Sequence, residues 1–385
     1  MPLDPESRTL ALCQELVRLE SLSGREQAVA GAVVREMTAL GYDEVRCDEL
    51  GSVVGILRSA RPGASVLFDA HLDVVPATEP GRWRFAPFSG ARAEGRIWGR
   101  GATDVKGSLA ALVVAMGTLP RGELAGTIVV SASVGEERIE GLAVANVLRL
   151  HPAQAAVICE PTGLRLGLGH RGRASLVVEA EGKAAHTSRP ENGINAVYRL
   201  IEAVERIQDM PRREDPLLGW GHIELVEISS EPFPGSAMVP YHATARFDRR
   251  LVRGETRESV LGEMRAALAG LEGVSVKLNE GELRCYTGRS FTAEAFHPGW
   301  AIAPDAEIAR RAAQALQRAG LAHEFFYAPY STNGTATAGA LGIPTLIYGA
   351  GEITAAHAVD ESVGEEELLC ALRGYQALAW GLAAD

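Results

Sequence analysis

The sequence has few cysteines and no long hydrophobic run. Its five cysteines are scattered and include no C-x-x-C pair, which argues against a disulfide framework and against a thiolate zinc cluster. The longest apolar run, near residues 109–116, is far shorter than the ~18 residues of a membrane-spanning helix. The N-terminal residues lack the basic head and apolar stretch of a signal peptide. We therefore expect a cytoplasmic protein that enters no membrane.

Basic residues are outnumbered as well. The 38 lysines and arginines stand against 49 aspartates and glutamates, and the formal net charge is −11. Proteins that bind the phosphate backbone of nucleic acids usually carry the opposite charge, so we expect no nucleic-acid partner. Hydrophobic residues make up 46% and charged residues 23% of the 385 residues, which is typical of a globular protein with about two domains.

Buried strands alternate with helical patterns in the first part of the chain. Near-continuous apolar runs predict strands that are buried on both faces, at 65–70, 127–133 and 155–159. Helical patterns lie between them, at 106–118 and 140–149. An earlier helix is predicted to begin at Ser23, where Glu26 would complete a capping box. This alternation predicts an α/β fold with a mainly parallel sheet covered on both faces.

The pattern changes after residue 170. Alternating strands and two further helical patterns follow in the order β-α-β-β-α-β, which is the ferredoxin-like arrangement. From about residue 301 the α/β pattern resumes. We therefore predict one catalytic domain formed by residues 1–170 and 285–385, interrupted by an inserted α+β lid at 171–284.

Acidic residues and histidine follow the predicted strands at the points where they end. His71 and Asp73 follow the first buried strand, Glu136 and Glu137 the second, and Glu160 the third. Carboxyl ends of parallel strands meet at one sheet edge, where several carboxylates would repel one another by several kcal/mol without a cation between them. Imidazole and carboxylate ligands without thiolate suit zinc, manganese or cobalt in a hydrolytic site.

Each pair of residues also has a simpler interpretation. A His-x-Asp pair on an extended segment places both side chains on one face, so His71 could bind metal while Asp73 accepts its other ring proton, or both could cap the strand end. The adjacent Glu136 and Glu137 point in different directions, so one could bind metal and the other act as a base; such a pair is more often a solvated surface.

Five short motifs contain these residues together with two further candidates. They are His71-x-Asp73, Gly101-x-x-Asp104 followed by Lys106-Gly107, Glu136-Glu137, Glu160-Pro161 and Ala356-His357. In this order they resemble the signature of the M20 metallopeptidase and amidohydrolase family, and the resemblance runs from end to end. That family includes acetylornithine deacetylase, succinyl-diaminopimelate desuccinylase, aminoacylase and glutamate carboxypeptidase.

The resemblance implies a dinuclear metal site. Asp104 would bridge two divalent ions, zinc above all, with cobalt or manganese as alternatives. His71 and Glu160 would complete one metal site, and Glu137 and His357 the other.

The resemblance also implies the reaction. Glu136 would be the general base in amide hydrolysis without a covalent intermediate, with Asp73 as an assisting catalytic residue. The substrate would be a small N-acyl amino acid or a short peptide.

The predicted lid carries further resemblances. His186 lies in a Gly-Lys-Ala-Ala-His-Thr-Ser motif that continues to Asn195. In the family this histidine reaches the neighbouring subunit's site and stabilises the oxyanion, which implies a homodimer, and Asn195 would contact substrate. Arg250, in Asp248-Arg249-Arg250, resembles the arginine that binds a substrate carboxylate. Near the C-terminus, a loop resembles the family's backbone cradle for that carboxylate and comprises Asn333, Gly334 and Thr335.

Three functions stay open at this point. Glu160, rather than aspartate, resembles the deacylase and carboxypeptidase members and favours an N-acyl amino acid as substrate. A dipeptidase or aminopeptidase of the same family is the first alternative, and a non-catalytic metal-binding protein is the second. Dinucleotide binding is rejected because the G-x-G-x-x-G match at 167–172 precedes an alternating strand and not a helix. No G-x-S-x-G motif offers a nucleophilic serine.

Overall fold

The computed structural model describes residues 4–122 and 124–383. The helices are α1 (Pro5–Arg18), α2 (Gln27–Ala39), α3 (Gly107–Gly117), α4 (Leu142–Leu150), α5 (Ala196–Gln208), α6 (Arg257–Ala267), α7 (Glu307–Arg318) and α8 (Glu365–Ala383). The strands are β1 (Glu44–Cys47), β2 (Val53–Arg58), β3 (Ser65–His71), β4 (Ala91–Ala93), β5 (Arg96–Trp98), β6 (Thr127–Ser133), β7 (Ala155–Ile158), β8 (Leu166–His170), β9 (Gly172–Glu181), β10 (Glu214–Asp215), β11 (Gly219–Trp220), β12 (His222–Glu231), β13 (His242–Leu251), β14 (Val274–Leu278), β15 (Glu280–Arg284), β16 (Ser290–Glu294), β17 (Phe296–His297), β18 (Trp300–Ala301), β19 (Phe325–Ala328), β20 (Thr345–Ile347) and β21 (Ser362–Gly364).

A nine-stranded sheet forms the larger layer of the molecule. Its order is β1-β2-β6-β3-β7-β20-β8-β18, with β19 also paired to β8. The central strands β6, β3, β7 and β20 are parallel, and antiparallel strands flank them on both sides. The predicted parallel α/β sheet is therefore confirmed at the centre, where the strands that carry the candidate site lie.

Apolar side chains cover both faces of this sheet. Neighbouring residues along β3 point to opposite faces, so Phe68 packs in one buried cluster with α1, α3 and α8 while Leu67 packs in a second cluster with α4. Helix α3 is buried along almost its whole length, which explains the apolar run of the sequence. Within 4–122 and 124–383, no helix is both long and apolar enough to cross a bilayer.

The smaller layer has the predicted β-α-β-β-α-β order. Strands β12, β13, β9 and β14 form an antiparallel sheet in that spatial order, and β17 also pairs with β9. Helices α5 and α6 pack against it through a separate apolar cluster that includes Leu200, Val260 and Phe247. The inserted α+β fold is therefore confirmed, and the boundaries at residues 171 and 284 stay predictions.

The predicted capping box at Ser23 is wrong. Helix α2 begins at Gln27, and the side chain of its N-cap residue, Glu26, makes no capping hydrogen bond. Gly24 has a left-handed φ of +85°, so the chain turns before the helix can begin. The Ser23 hydroxyl donates instead to Asp73 Oδ2 at 2.6 Å. The side chain of Ser23 is thus directed at Asp73, which follows β3 at the end of the sheet.

Candidate metal and catalytic site

All five predicted metal ligands lie together at one edge of the large sheet: three lie at or just after the ends of the parallel strands β3, β6 and β7, and two come from the segments around residues 104 and 357. Asp104 lies between two imidazoles, with Oδ1 at 3.0 Å from His71 Nε2 and Oδ2 at 3.3 Å from His357 Nε2. Glu160 Oε1 lies 3.8 Å from His71 Nε2, and Glu137 Oε1 lies 3.0 Å from His357 Nε2. The carboxylate of Asp104 therefore joins two half-sites, which is the arrangement expected of a bridging ligand.

The electrostatics of this cluster are those of a site for a cation. Burial raises the pKa of Glu160 to about 8 and also raises the pKa values of Glu136 and Glu137. Hydrogen bonds with Asp104 and Glu137 raise the pKa of His357 to about 10. The two imidazoles in turn hold the pKa of Asp104 below its usual range, although burial opposes that shift. Carboxylates and imidazoles in this number are a donor set for divalent cations.

Asp73 does not contact His71 in the predicted way. His71 Nδ1 lies 2.9 Å from the backbone oxygen of Asp73 and 3.6 Å from its carboxylate. That carboxylate instead accepts the backbone N–H groups of Glu136 at 3.0 Å and Glu137 at 3.1 Å. The backbone carbonyl orients the imidazole, and the side chain orients the turn that follows β6.

Glu136 and Glu137 have diverging side chains, as predicted. Glu137 contacts His357, whereas Glu136 is 8% exposed and lines a cleft between the sheet edge and the lid. The cleft has a volume of about 440 Å³ and is also lined by Arg173, Arg246 and other lid residues. Glu137 also lines the cleft, so Glu136 differs from it in making no described hydrogen bond or ion pair with a candidate ligand.

Arg250 does not line this cleft itself but contacts Asp248, which does. Asp248 lines the cleft; its Oδ2 accepts from Arg173 Nε at 2.6 Å, and its Oδ1 forms an ion pair with Arg250 Nε at 3.1 Å. Arg250 itself lines an adjoining cleft of the lid together with Arg212. Sequence reasoning missed Arg173, which stands on β9 without a motif to mark it and lines the same cleft as Glu136.

Two predicted lid residues lie apart from the cluster in the described chain. His186 is exposed, and its Nδ1 lies 2.8 Å from Ser188 Oγ and accepts from the Ser188 backbone N–H. Asn195 caps helix α5, because its side-chain oxygen accepts the Val197 N–H at 2.9 Å. The roles of His186 and Asn195 at a substrate stay predictions.

The Asn333 loop is built into the interior. The Asn333 amide donates to Asp69 Oδ2 at 2.8 Å and accepts the Gly141 N–H at 2.7 Å. Thr335 is 3% exposed and donates to a backbone oxygen, and a Cβ at Gly334 would lie 2.8 Å from the Trp300 indole nitrogen. Asn333 thus anchors its loop to β3, while contact of Asn333, Gly334 or Thr335 with substrate stays a prediction.

A buried glutamate behind the ligands was also missed by the sequence analysis. Glu361 is 1% exposed, accepts the backbone N–H groups of Thr103 and Asp104 at 2.9 and 3.0 Å, and forms an ion pair with Arg100 at 2.6 Å. These contacts fix the backbone that carries the Asp104 side chain. Only its position four residues after His357 could have suggested it.

Comparisons with known proteins agree with this geometry. Residues 67–380 match the model of peptidase family M20/M25/M40. An uncharacterized protein of Escherichia coli K12, YgeY, is 30% identical over 95% of this chain and 93% of its own length. Succinyl-diaminopimelate desuccinylase of Paracoccus denitrificans is 28% identical over 68% of this chain and 72% of its own length.

Solved structures share the whole fold. The M20 family metallo-carboxypeptidase Sso-CP2 of Sulfolobus solfataricus superposes with a TM-score of 0.77 at 16% identity, covering 98% of this chain and 99% of that one. Bacillus subtilis YxeP, described as a dinuclear metal-binding peptidase, gives a TM-score of 0.71 at 16% identity, covering 98% and 97%. The chain therefore belongs to the M20 peptidase family and is a metal-dependent amidohydrolase.

Proposed function

We propose that this protein hydrolyses the amide bond of a small N-acyl amino acid, as a deacylase or carboxypeptidase does. The observation that carries the proposal is the shared cleft, in which the buried Glu136 faces two arginines of the lid, Arg173 and Arg246. Guanidinium groups bind carboxylates in a planar, two-point contact. A substrate with a free carboxylate would thus be held with its amide near the base. The desuccinylase relative, whose name describes an N-acyl amino acid, supports the same substrate class.

The proposal includes two divalent ions per chain. His71, Asp104 and Glu160 would hold one ion, and Asp104, Glu137 and His357 the other. When bound, such ions lower the pKa of water and polarise a carbonyl group. Zinc suits the mixture of imidazole and carboxylate, with cobalt or manganese as alternatives. The Bacillus subtilis YxeP structure, described as that of a dinuclear metal-binding peptidase, supports the number of ions.

The residues of the chain have distinct tasks in this reaction. Glu136 would take the proton of the attacking water and return it to the leaving amine, which its buried position and raised pKa suit. Asp73 would keep the Glu136 turn in place through its two backbone hydrogen bonds. The lid arginines would bind the carboxylate of the substrate and orient the scissile bond.

A homodimer formed through the lid is part of the proposal. Strand β12 lies at the edge of its sheet, and within 4–122 and 124–383 it pairs with β13 alone. Exposed apolar side chains occur on the same unit, including Tyr198 at 72%, Val226 at 56% and Phe233 at 89%. An unpaired edge with such residues favours association with a second copy. A cytoplasmic location also stays a prediction.

Metal-loaded protein should release free amine from N-acetyl or N-succinyl amino acids, and a chelator should abolish the release. The measurement compares zinc, manganese and cobalt forms on N-acyl amino acids, unblocked dipeptides and blocked peptides. Cleavage confined to unblocked dipeptides would establish the dipeptidase alternative. Absence of turnover on every substrate by protein that has bound its metal would favour the non-catalytic alternative.

Loss of a lid arginine should weaken substrate binding more than turnover. Arg173→Gln removes a cationic group of the cleft, and Arg250→Gln removes the second partner of Asp248. We expect KM for an N-acyl amino acid to rise roughly 10- to 100-fold for Arg173→Gln, with a smaller change in kcat, because a charged hydrogen bond to the carboxylate is lost. Arg265→Gln on helix α6 is the control. An unchanged KM for Arg173→Gln would place the carboxylate elsewhere.

A further inference from the structure

The turn that carries Glu136 is held by carboxylates from the N-terminal part of the chain. Three consecutive backbone N–H groups donate to such carboxylates: that of Gly135 to Glu26 Oε1 at 3.2 Å, that of Glu136 to Asp73 Oδ1 at 3.0 Å, and that of Glu137 to Asp73 Oδ2 at 3.1 Å. Ser23 extends the network through its 2.6 Å hydrogen bond to Asp73. The proposed base and a proposed metal ligand thus stand on a turn in which three consecutive N–H groups are held by residues outside it.

Glu26 is placed for this turn and not for its own helix. Although it is the N-cap residue of α2, its side chain makes no capping hydrogen bond. Its carboxylate is fully buried, and Oε1 accepts the N–H groups of Gly24 and of Gly135, which is 109 positions further along the chain. Burying a carboxylate is costly, so a role limited to starting α2 does not account for it.

Gly135 makes the turn dependent on such a contact. Its φ of +68° is in the left-handed region, and a Cβ there would lie 2.2 Å from Leu283 Cδ2. No larger residue fits this position, and glycine has the greatest backbone freedom of any residue. A hydrogen bond to its N–H is therefore the local means of restricting the residue that immediately precedes Glu136.

We propose that Glu26 is a positioning residue for the catalytic base. It fixes Gly135, and together with the Ser23–Asp73 pair it sets the direction in which Glu136 leaves the turn. This inference rests on the proposed role of Glu136 as general base. Small displacements of a catalytic group lower turnover strongly because the reacting atoms must meet at near-contact distance. Loss of the contact should therefore lower kcat without affecting substrate affinity or metal content.

The experiment compares Glu26→Ala with Glu26→Gln in the metal-loaded, full-length enzyme. Alanine removes the acceptor, so we expect kcat to fall about 10- to 100-fold with KM and bound metal unchanged. Glutamine keeps an oxygen that can accept both N–H groups, so kcat should return to within about threefold of wild type. Glu36→Gln, at the other end of α2 and paired with Arg8, controls for damage to the helix.

The outcomes separate this inference from the proposed function. An inactive Glu136→Gln enzyme combined with wild-type kcat in Glu26→Ala would overturn the positioning role alone. Normal turnover by Glu136→Gln would overturn the proposed base and this inference with it. If Glu26→Ala does not fold, Glu26→Gln and Ser23→Ala still decide. A Glu26→Gln enzyme that folds, binds metal and is as slow as Glu136→Gln would contradict the proposal. A loss of metal from Glu26→Ala that matches its loss of kcat would also contradict it.

Discussion

Glutamine in place of Glu136 is expected to lower kcat by about 10²- to 10⁴-fold, the range associated with removal of a general base, while both metal ions stay bound. Glu136 and its neighbour Glu137 both line the cleft, but only Glu137 contacts His357 among the described residues. Glutamine has nearly the same shape and keeps the backbone N–H that donates to Asp73. The variant therefore lacks a proton acceptor in an otherwise intact site. Steady-state kinetics with measurement of bound metal tests this expectation.

A second carboxylate of the same cleft provides the control. Glu282 is exposed on β15 and also lines the cleft, so Glu282→Gln changes the local charge equally without removing the proposed base. Its kcat should stay near that of the wild type. Comparable losses in both variants would mean that charge in the cleft, and not proton transfer by Glu136, limits the reaction. Loss of metal from Glu136→Gln would instead make Glu136 a ligand.

The proximity of three candidate metal ligands could be predicted because parallel strands impose their own geometry. Strands β3, β6 and β7 run side by side in one direction, so the residues that follow them meet at one edge. That rule alone was enough to predict that His71, Glu137 and Glu160 lie close together. Asp104 and His357 lie outside these strands and could be placed only through resemblance to a family.

The predictions that failed concerned hydrogen-bond partners. Ser23 has the spacing of a helix cap, yet its hydroxyl is used by Asp73, 50 positions further along the chain. Asp73 in turn holds the turn after β6, although local spacing suggested the ring of His71. A buried backbone N–H must find an acceptor, and tertiary contact decides which one. Sequence spacing shows only which acceptors are near a donor along the chain.

Residues that support the site through the interior left no signal in the sequence. Glu361 fixes the backbone of Asp104, and Arg173 enters the cleft from the first strand of the lid. Both are single charged residues without a motif. The role of Arg173 depends on how the lid lies beside the sheet, and that of Glu361 on contacts with residues more than 250 positions away, at 100–104. No periodicity of the chain describes either.

His186 is expected to act in the active site of a second subunit. Within the described chain it is exposed and contacts Ser188, and no described hydrogen bond or ion pair joins it to the metal ligands. If it donates a hydrogen bond to the oxyanion of the partner's substrate, His186→Ala should lower kcat by about 10²- to 10³-fold and leave bound metal unchanged. Equal loss of metal would contradict that role.

Co-expression of His186→Ala with Glu136→Gln distinguishes action in the partner's site from action in the same chain. In a mixed dimer, the His186→Ala chain keeps its own Glu136 and receives an intact His186 from its partner, so one complete site forms. Random association of equal amounts should restore roughly one quarter of wild-type activity. If His186 served its own chain, no mixed dimer would contain a complete site, and activity would stay at the level of the separate variants. Mixing Glu282→Gln with Glu136→Gln controls for the effect of co-expression, because half of its sites are complete whichever way His186 acts.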